Sequence, residues 1–462
     1  MAGFLALDGL ALIGTAITTV PVIQDLFNPK PDSSTTTKVR IIVGDADFAE
    51  GNEPHVSLFD RSGNNIGFTS DFRQFGDVIN RGQPADIDVV QIDPGASANG
   101  AEYMALSASE GNAICISIVT VTTPTGIKYS FMGDIATQCG IPWFPGNVLA
   151  SIGPKGEVRP NCVWIDGDGT NGINTHGLGM HLPSFQSNED REQDFQEHPD
   201  RMCKSDPRFK AYDALTFTDS IPFFKEPVFD GTTLLDFDDK ALDQSNWDQK
   251  PIDLSILGQR RRSYSYQKQQ QYEQDGDARN VAATGTTTGT GTGTTNKKAV
   301  AGGNHRNETN TTTGTTATSS QESSATESAG DDKKKHGGGN NPDPNSNPKN
   351  MNPNEQDKGK NRKNKNWKMP GHLIVTPHAS HNVQAVCKSR SSMGPDIVNP
   401  KEGWYCDMET KTLWEVCKTS KQGACFDVDT NRMRMGKGNS RRDEKSGRVI
   451  PRKEYTTVKQ WK

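Results

Sequence analysis

The chain has 462 residues, 32% of them hydrophobic and 24% charged, with a formal net charge of −5. This slightly acidic balance argues against a polyanion binder, so nucleic acid is not an expected partner. Setting aside a polar tract from Arg260 to Lys368 and both ends leaves about 300 residues to fold, room for one medium domain and one small one.

Residues 1–37 form an apolar, Gly-containing N-terminal segment. Gly9 to Ile23 carries no charge, but Asp8 interrupts the apolar run, Pro21 shortens it, and no Lys or Arg precedes Lys30. As a helix the uncharged stretch would span roughly 22 Å, short of the ~30 Å hydrocarbon core. Two readings stay open. One is an atypical secretory signal. The other is a retained helix that packs on the protein or touches a membrane through residues 1–27, with Gly3, Gly9 and Gly14 allowing close approach.

Residues 38–185 predict a mainly β, antiparallel β-sandwich. Val39 to Val43 is a β-branched run closed by Gly44, and Val56 to Phe59 is followed by a turn from Asp60 to Asn65. Ile87 to Ile92 alternates and ends in Asp93, Pro94 and Gly95. Ile114 to Thr122 is the strongest strand, with Ile114, Ile116 and Ile118 on one face. Glu102 to Ser107, Lys128 to Met132 and Asn161 to Ile165 complete the set. Short strands broken by Gly, Pro, Asn and Asp read as a sandwich.

These segments also carry a resemblance. Val39 to Gly44, Gly51 to Pro54, Ser57 to Asp60, Gly100 to Tyr103, Asn112 to Ile116, Gly133 with Asp134, Cys139 with Gly140, Trp143, and Cys162 to Asp166 follow one another in order. The succession resembles a family of largely uncharacterised proteins from filamentous fungi, over both parts of the chain. Over the sandwich alone it is loosely similar to lipid- and protein-binding sandwiches of the PLAT type. Neither resemblance brings a catalytic residue with it.

The chemistry to weigh lies in loops. Asp166, Asp168 and Asn171 alternate oxygens in Gly-rich text and are the metal candidate, for Ca²⁺. Asn171 and Gly177 stand where an EF-hand needs Gly and Glu, so only an irregular site is expected; the competing reading is an ordinary Asp/Gly turn. The acidic loop of Asp45, Asp47, Glu50 and Glu53 is either solvated or shares such a site. His176 and His181 with Asp166 would make a hydrolytic metal site, without HExxH spacing. No nucleophile elbow, phosphate loop or dinucleotide fingerprint occurs. No catalytic residue and no cofactor other than Ca²⁺ is therefore assigned.

Residues 186–259 read as an acidic, Pro-containing appendage, with Ile221 to Phe229 lying along the sandwich. Residues 260–368 form a long, disordered, low-complexity linker, because almost no Leu, Ile or Phe is there to offset chain ordering at roughly 1–2 kcal/mol per residue. It holds a basic triplet ending at Arg262, a processing candidate, and two N-glycosylation acceptors, Asn307 and Asn310.

Residues 369–435 predict a small, disulfide-stabilised, β-rich C-terminal module. Cys406 to Trp414 and Cys425 to Met433 are half-copies, each with a turn that invites a hairpin. Trp404, Tyr405 and Trp414 are either core or a stacking platform for a polymer. His372, His378 and His381 precede Cys387 and are a zinc alternative. Residues 436–462 read as a basic tail, either solvated or binding nucleic acid or another anionic polymer.

The eight cysteines fall four on each side of the linker. Cys139 and Cys162 are expected in disulfides, and Cys115 as a structural disulfide or a buried thiol. Sequence proximity suggests Cys387 with Cys406 and Cys417 with Cys425. An even count in each part leans towards an oxidising, extracellular or cell-surface setting.

The resulting expectation is a non-enzymatic secreted or surface interaction protein of a filamentous fungus with two tethered binding modules. Its partners would be a polysaccharide, a cell wall or a host surface protein. One alternative is a membrane-active or intracellular defence protein, membrane-associated or cytoplasmic, whose N-terminal segment inserts. The other is a metal-dependent hydrolase.

Overall fold

A computed structural model describes residues 36–69, 78–91, 100–109, 111–151, 157–185, 197–225, 239–252, 369–417, 423–435, 441–443 and 446–462. The apolar segment before Thr36 lies outside the described residues, as does the linker with Arg262, Asn307 and Asn310.

The first part is an antiparallel β-sandwich. Its strands are β1 (Thr36–Val43), β2 (His55–Phe59), β3 (Asn65–Phe68), β4 (Pro84–Val90), β5 (Tyr103–Ser107), β6 (Ile114–Thr122) and β7 (Lys128–Met132). After the short helix α1 (Ile135–Cys139) come β8 (Trp143–Phe144), β9 (Cys162–Ile165) and β10 (Gly177–His181). Helix α2 (Arg201–Lys204) and β11 (Phe209–Tyr212) follow. One sheet runs β8-β9-β6-β1-β4, with β7 also on β6; the other runs β11-β10-β5-β2-β3.

Alternation in β1 sets the inner face. Val39, Ile41 and Val43 are fully buried between the sheets. On the outer face Arg40 and Lys38 stand directly opposite Asp86 and Asp88 of β4. Arg40 grips Asp86 through Nε and Nη2, at 2.5 and 2.7 Å. Opposite charges across a strand pair help hold the register that the apolar face requires. The gap between the sheets, lined by Met104, Val119, Phe131, Met180 and Phe185 among others, leaves no water-sized space.

The stretch after Phe185 belongs to the sandwich more closely than an appendage would. It supplies β11 as an edge strand, paired with β10 from Gly177↔Tyr212 to Met180↔Phe209. Leu215, Ile221 and Phe223 cover Phe59 and Tyr103 on the outer face of the second sheet. That face is apolar because it too is buried.

The C-terminal module contains β12 (His372–Val375), helix α3 (Val383–Lys388), β13 (Asp396–Asn399), β14 (Trp404–Asp407), β15 (Thr412–Glu415), β16 (Cys425–Asp427), β17 (Arg432–Arg434) and β18 (Thr457–Gln460). Five strands form a mixed sheet, β15-β14-β13-β12-β18, in which β12 pairs in parallel with both β13 and β18. The half-copies form the hairpins β14–β15 and β16–β17. Asp407 accepts from the amide of Glu409 at 3.1 Å, and Asp427 from that of Asp429 at 2.9 Å. Lys411 and Asn431 each take positive φ, at 52° and 53°. The two turns are thus equivalent at their aspartates.

Two expectations need correction. The basic C-terminus is not a solvated tail. It contributes β18, buries Trp461 and places Lys453 among acids. Its charge concealed a strand because Thr457, Val458 and Lys459 are only half-buried at a sheet edge. Nor is the C-terminal module a body apart from the sandwich. Ile374, Val386, Ile397, Met408 and Trp461 belong to one apolar cluster with Val163, Trp164 and Phe144, and the two parts fall in one compact unit.

All eight cysteines are bonded: Cys115–Cys162, Cys139–Cys203, Cys387–Cys406 and Cys417–Cys425. Cys115 is therefore not a buried thiol. No disulfide joins the sandwich to the C-terminal module.

Candidate functional site

The seam between the sandwich and the C-terminal module is the most elaborated region. Strand β8 is short, and residues 391–393 extend its edge. The amide of Trp143 donates to the Ser391 carbonyl at 3.1 Å, and that of Met393 donates to the Trp143 carbonyl at 2.8 Å. Both indole nitrogens cross the seam, Trp143 to Ser389 Oγ at 3.1 Å and Trp164 to the Met393 carbonyl at 2.8 Å. A Cβ at Gly394 would lie 2.2 Å from the Phe144 ring, so that backbone approach requires glycine. The indole N–H groups of Trp143 and Trp164 thus both have a partner, as burial demands.

His381 closes the same seam. It is fully buried, with Nδ1 2.7 Å from Thr376 Oγ1 and Nε2 2.8 Å from the Gly146 carbonyl. Burial pushes its pKa down to about 3. The ring is therefore neutral, donating through Nε2 and accepting at Nδ1. His372 reaches Asp47 at 3.1 Å, and Cys387 is in a disulfide. These assignments remove the zinc alternative, since the rings and the sulfur are already engaged.

The acidic loop after β1 is neither solvated nor available as a cation site. Asp45 Oδ1 receives Lys459 Nζ at 2.6 Å, and Asp47, 3% exposed, pairs with Arg81 and His372. Phe48 sits edge-on to His372 at 4.6 Å. Sequence order hides this arrangement, because Asp45 and Lys459 meet only when β18 docks.

His176 and His181 do not converge on one site. They precede and end β10, roughly 16 Å apart along an extended strand. His181 is fully buried and its Nδ1 lies 2.7 Å from Ser184 Oγ, with Glu102 Oε1 3.5 Å from Nε2. The trio matches a Ser-His-acid series in composition. However, Ser184 is only 6% exposed and Tyr103 and Phe224 pack on the imidazole. A nucleophile must reach its substrate, so this arrangement locks the turn from Leu182 to Phe185. The hydrolytic metal reading loses its histidine pair.

Asp166 and Asp168 do sit together. Asp166 follows the core strand β9 and is wholly buried; its amide donates to the Thr175 carbonyl at 2.8 Å, closing the loop. Its Oδ2 takes long contacts from Asn171, at 3.3 Å and 3.5 Å, and its carboxyl also bonds to the backbone and side chain of Asp168. Burial, then the like charge of Asp168, pushes its carboxyl pKa up. Asp168 is exposed, and Thr170 donates to its Oδ1 from backbone and hydroxyl at 2.9 and 2.7 Å. Those bonds hold its pKa below the usual carboxylate range.

Sequence reading missed the polar centre of the C-terminal module. Lys453 Nζ lies 2.7 Å from Asp407 and 3.3 Å from Asp396. Asp396 Oδ2 also accepts from Tyr455 at 2.6 Å and Tyr405 at 3.0 Å. The available signal was Lys453 and Tyr455, two apart and so on one face of an extended chain. Tyr405 stacks on Phe426 at 4.0 Å and Trp414 is 4% exposed, so both are core.

Among the described residues no group of three or more His, Cys, Asp or Glu side chains is placed to hold a metal ion, and no helix is long and apolar enough to cross a membrane. No family model matches the chain, and no curated protein matches it. Solved lipoxygenase (LOX) chains do match. Two point variants of a LOX deletion form are each 14% identical to this chain, and the same deletion form in complex with arachidonate is 13% identical. In each case the match covers 36% of this chain and 20% of the other, at a TM-score of 0.18. The chain thus spans about a fifth of the length of those proteins. Such a likeness carries no argument about activity.

Proposed function

We propose that this protein is a non-enzymatic interaction protein of an extracellular or cell-surface compartment. The observation that carries the reading is the pairing of every cysteine, with two disulfides inside each part of the fold. Such pairing suits an oxidising compartment, where thiols are not held reduced. The sandwich and the C-terminal module act as one presenting surface, because a shared apolar cluster joins them. A bivalent arrangement of separately tethered modules is the weaker form of the proposal, since effective-concentration gains require modules that move apart.

The compartment is tested by peptide mass mapping of unreduced protein from its native source. Four bonded pairs are expected; eight free thiols would sink the extracellular reading. The binding role is tested with the whole folded protein on arrays of glycans, lipids and extracellular proteins. A saturable partner that leaves unchanged supports it, and turnover of an arrayed compound overturns it.

A further inference from the structure

Charge is divided unevenly between the two parts of the fold. Residues 369–462 carry 17 Lys and Arg against 10 Asp and Glu, whereas residues 1–259 carry 17 against 36. The net charge of −5 for the whole chain therefore conceals a basic module fixed to an acidic sandwich.

Part of that basic surplus is gathered on two neighbouring ribbons. In the hairpin β16–β17, Met433 packs on the module's apolar cluster while Arg432 and Arg434 point outward, as alternation along a strand requires. In the second ribbon Arg442 pairs with Val449, and the Ile450 amide donates to the Arg441 carbonyl at 2.9 Å. Ile450 is buried in the same cluster, and Arg441, Arg442 and Arg448 are exposed. Asp443 ties the two ribbons together. Its Oδ1 accepts from the Ala424 amide at 3.0 Å, next to Cys425, which pairs with Arg434. Its Oδ2 accepts from the Ser446 amide at 2.9 Å. The five arginines thus stand within one region of the surface.

The described acids of these ribbons do little to cancel them. Asp443 and Asp427 are buried, and Asp429 is exposed. Asp427 pairs with Arg434, whose side chain is still 62% exposed. Backbone carbonyls hold two of the guanidinium groups: Arg442 donates to Gly447 at 3.1 Å and Arg448 to Leu413 at 3.4 Å. A carbonyl positions a guanidinium without removing its charge.

The residue type narrows the partner. All five are arginine, whose planar fork matches carboxylate and sulphate groups bidentately. Proteins that bind single-stranded nucleic acid add aromatic faces for the bases to stack on. Among the described residues of the module no Phe, Tyr or Trp is exposed. The acidic sandwich would repel a long polyanion, so charge also directs the encounter to the module.

We propose that this arginine face binds an acidic polysaccharide, one whose carboxylate or sulphate groups recur along an extended chain. Such a polymer would be the partner of the interaction protein proposed above, and this step rests on that reading.

The test titrates the full-length protein with heparin (sulphated), polygalacturonate (carboxylated), uncharged dextran, and duplex DNA of comparable charge. Wild type should bind at least one of the two acidic polysaccharides and not dextran. Its affinity should fall roughly tenfold or more between about 50 and 200 mM salt, as released counterions demand. The tighter of the two acids identifies sulphate or carboxylate. The triple variant Arg432→Gln, Arg441→Gln, Arg448→Gln should keep the wild-type melting temperature, because all three positions are exposed. It should bind roughly tenfold or more weakly, with a shallower salt dependence. A matched control, Lys128→Gln, Lys225→Gln, Lys250→Gln, removes three exposed charges from the sandwich side and should bind like wild type. Equal weakening by both triple variants overturns the location. Tighter binding to duplex DNA than to either polysaccharide overturns the polymer class. Absence of binding to both acidic polysaccharides overturns the proposal, and a different saturable partner on the arrays would then leave the interaction reading standing.

Discussion

In the sandwich, strands from two sheets bury Val39, Ile41, Leu58, Met104, Leu106, Ile116 and Trp164 against one another. In the C-terminal module, the shorter strands enclose Tyr405, Trp414 and Phe426 beside a lysine ringed by three carboxylates. The sandwich has enough apolar area for burial to lead, at roughly 25 cal/mol per Å². The module has less, so disulfides, a polar centre and the sandwich itself make up the difference. A small unit of this kind gains stability by leaning on a larger one, and the seam at Trp143 and Trp164 is where it does so.

The comparison breaks most visibly at the seam. Trp164→Ala removes a fully buried indole and its bond to the Met393 carbonyl, and should cost about 3–5 kcal/mol. Native-state hydrogen exchange should show amides of β6 and β14 losing protection together. If β14 retained its protection while β6 lost it, the module would be independent of the sandwich.

Disulfide removal should sharpen it into a ranking. Loop closure predicts losses of about 4 kcal/mol for Cys115–Cys162 and for Cys139–Cys203, about 3 for Cys387–Cys406 and about 2.5 for Cys417–Cys425. The order follows sequence separations of 47, 64, 19 and 8 residues. Paired Cys→Ser variants in urea titrations test it. A larger loss for Cys417–Cys425 than for the sandwich pairs would show that the module depends on local bracing more than loop entropy allows.

Lys453→Met should cost about 2 kcal/mol, because Asp396 and Asp407 would keep buried charge without a counter-ion. The loss stays under the fully buried range since the lysine side chain is 15% exposed. Adding Asp396→Asn should recover part of it, measured by the same titration. No recovery would mean that the lysine acts through packing alone.

The last effect is a pH dependence from the sandwich. Burial pushes Asp134 up from 3.8 to about 7, with Asn161 donating to its Oδ1 at 2.9 Å. A carboxyl with a raised folded pKa binds its proton more tightly in the native state. Its contribution is fully present below pH 4 and is lost as pH climbs towards 7. Asp134→Asn should flatten that decline, seen as melting temperatures that change less between pH 4 and 7 than those of wild type. An unchanged slope would remove Asp134 as its source.

Strand text such as Ile114 to Thr122 and Val39 to Val43 announced the sandwich, since β-branched alternation and turn residues are local properties. The hairpins at Asp407 and Asp427 were legible for the same reason: an aspartate bonds its own neighbours whatever surrounds it. The composition of residues 260–368 likewise excluded an apolar core there without reference to any contact. Tertiary structure alone decided the rest. It joined Cys139 to Cys203 and Asp45 to Lys459, and drew β11 and β18 into sheets from stretches read as appendage and tail. Those outcomes depend on which surfaces meet across long separations, and charge or spacing in one segment does not specify its distant partner.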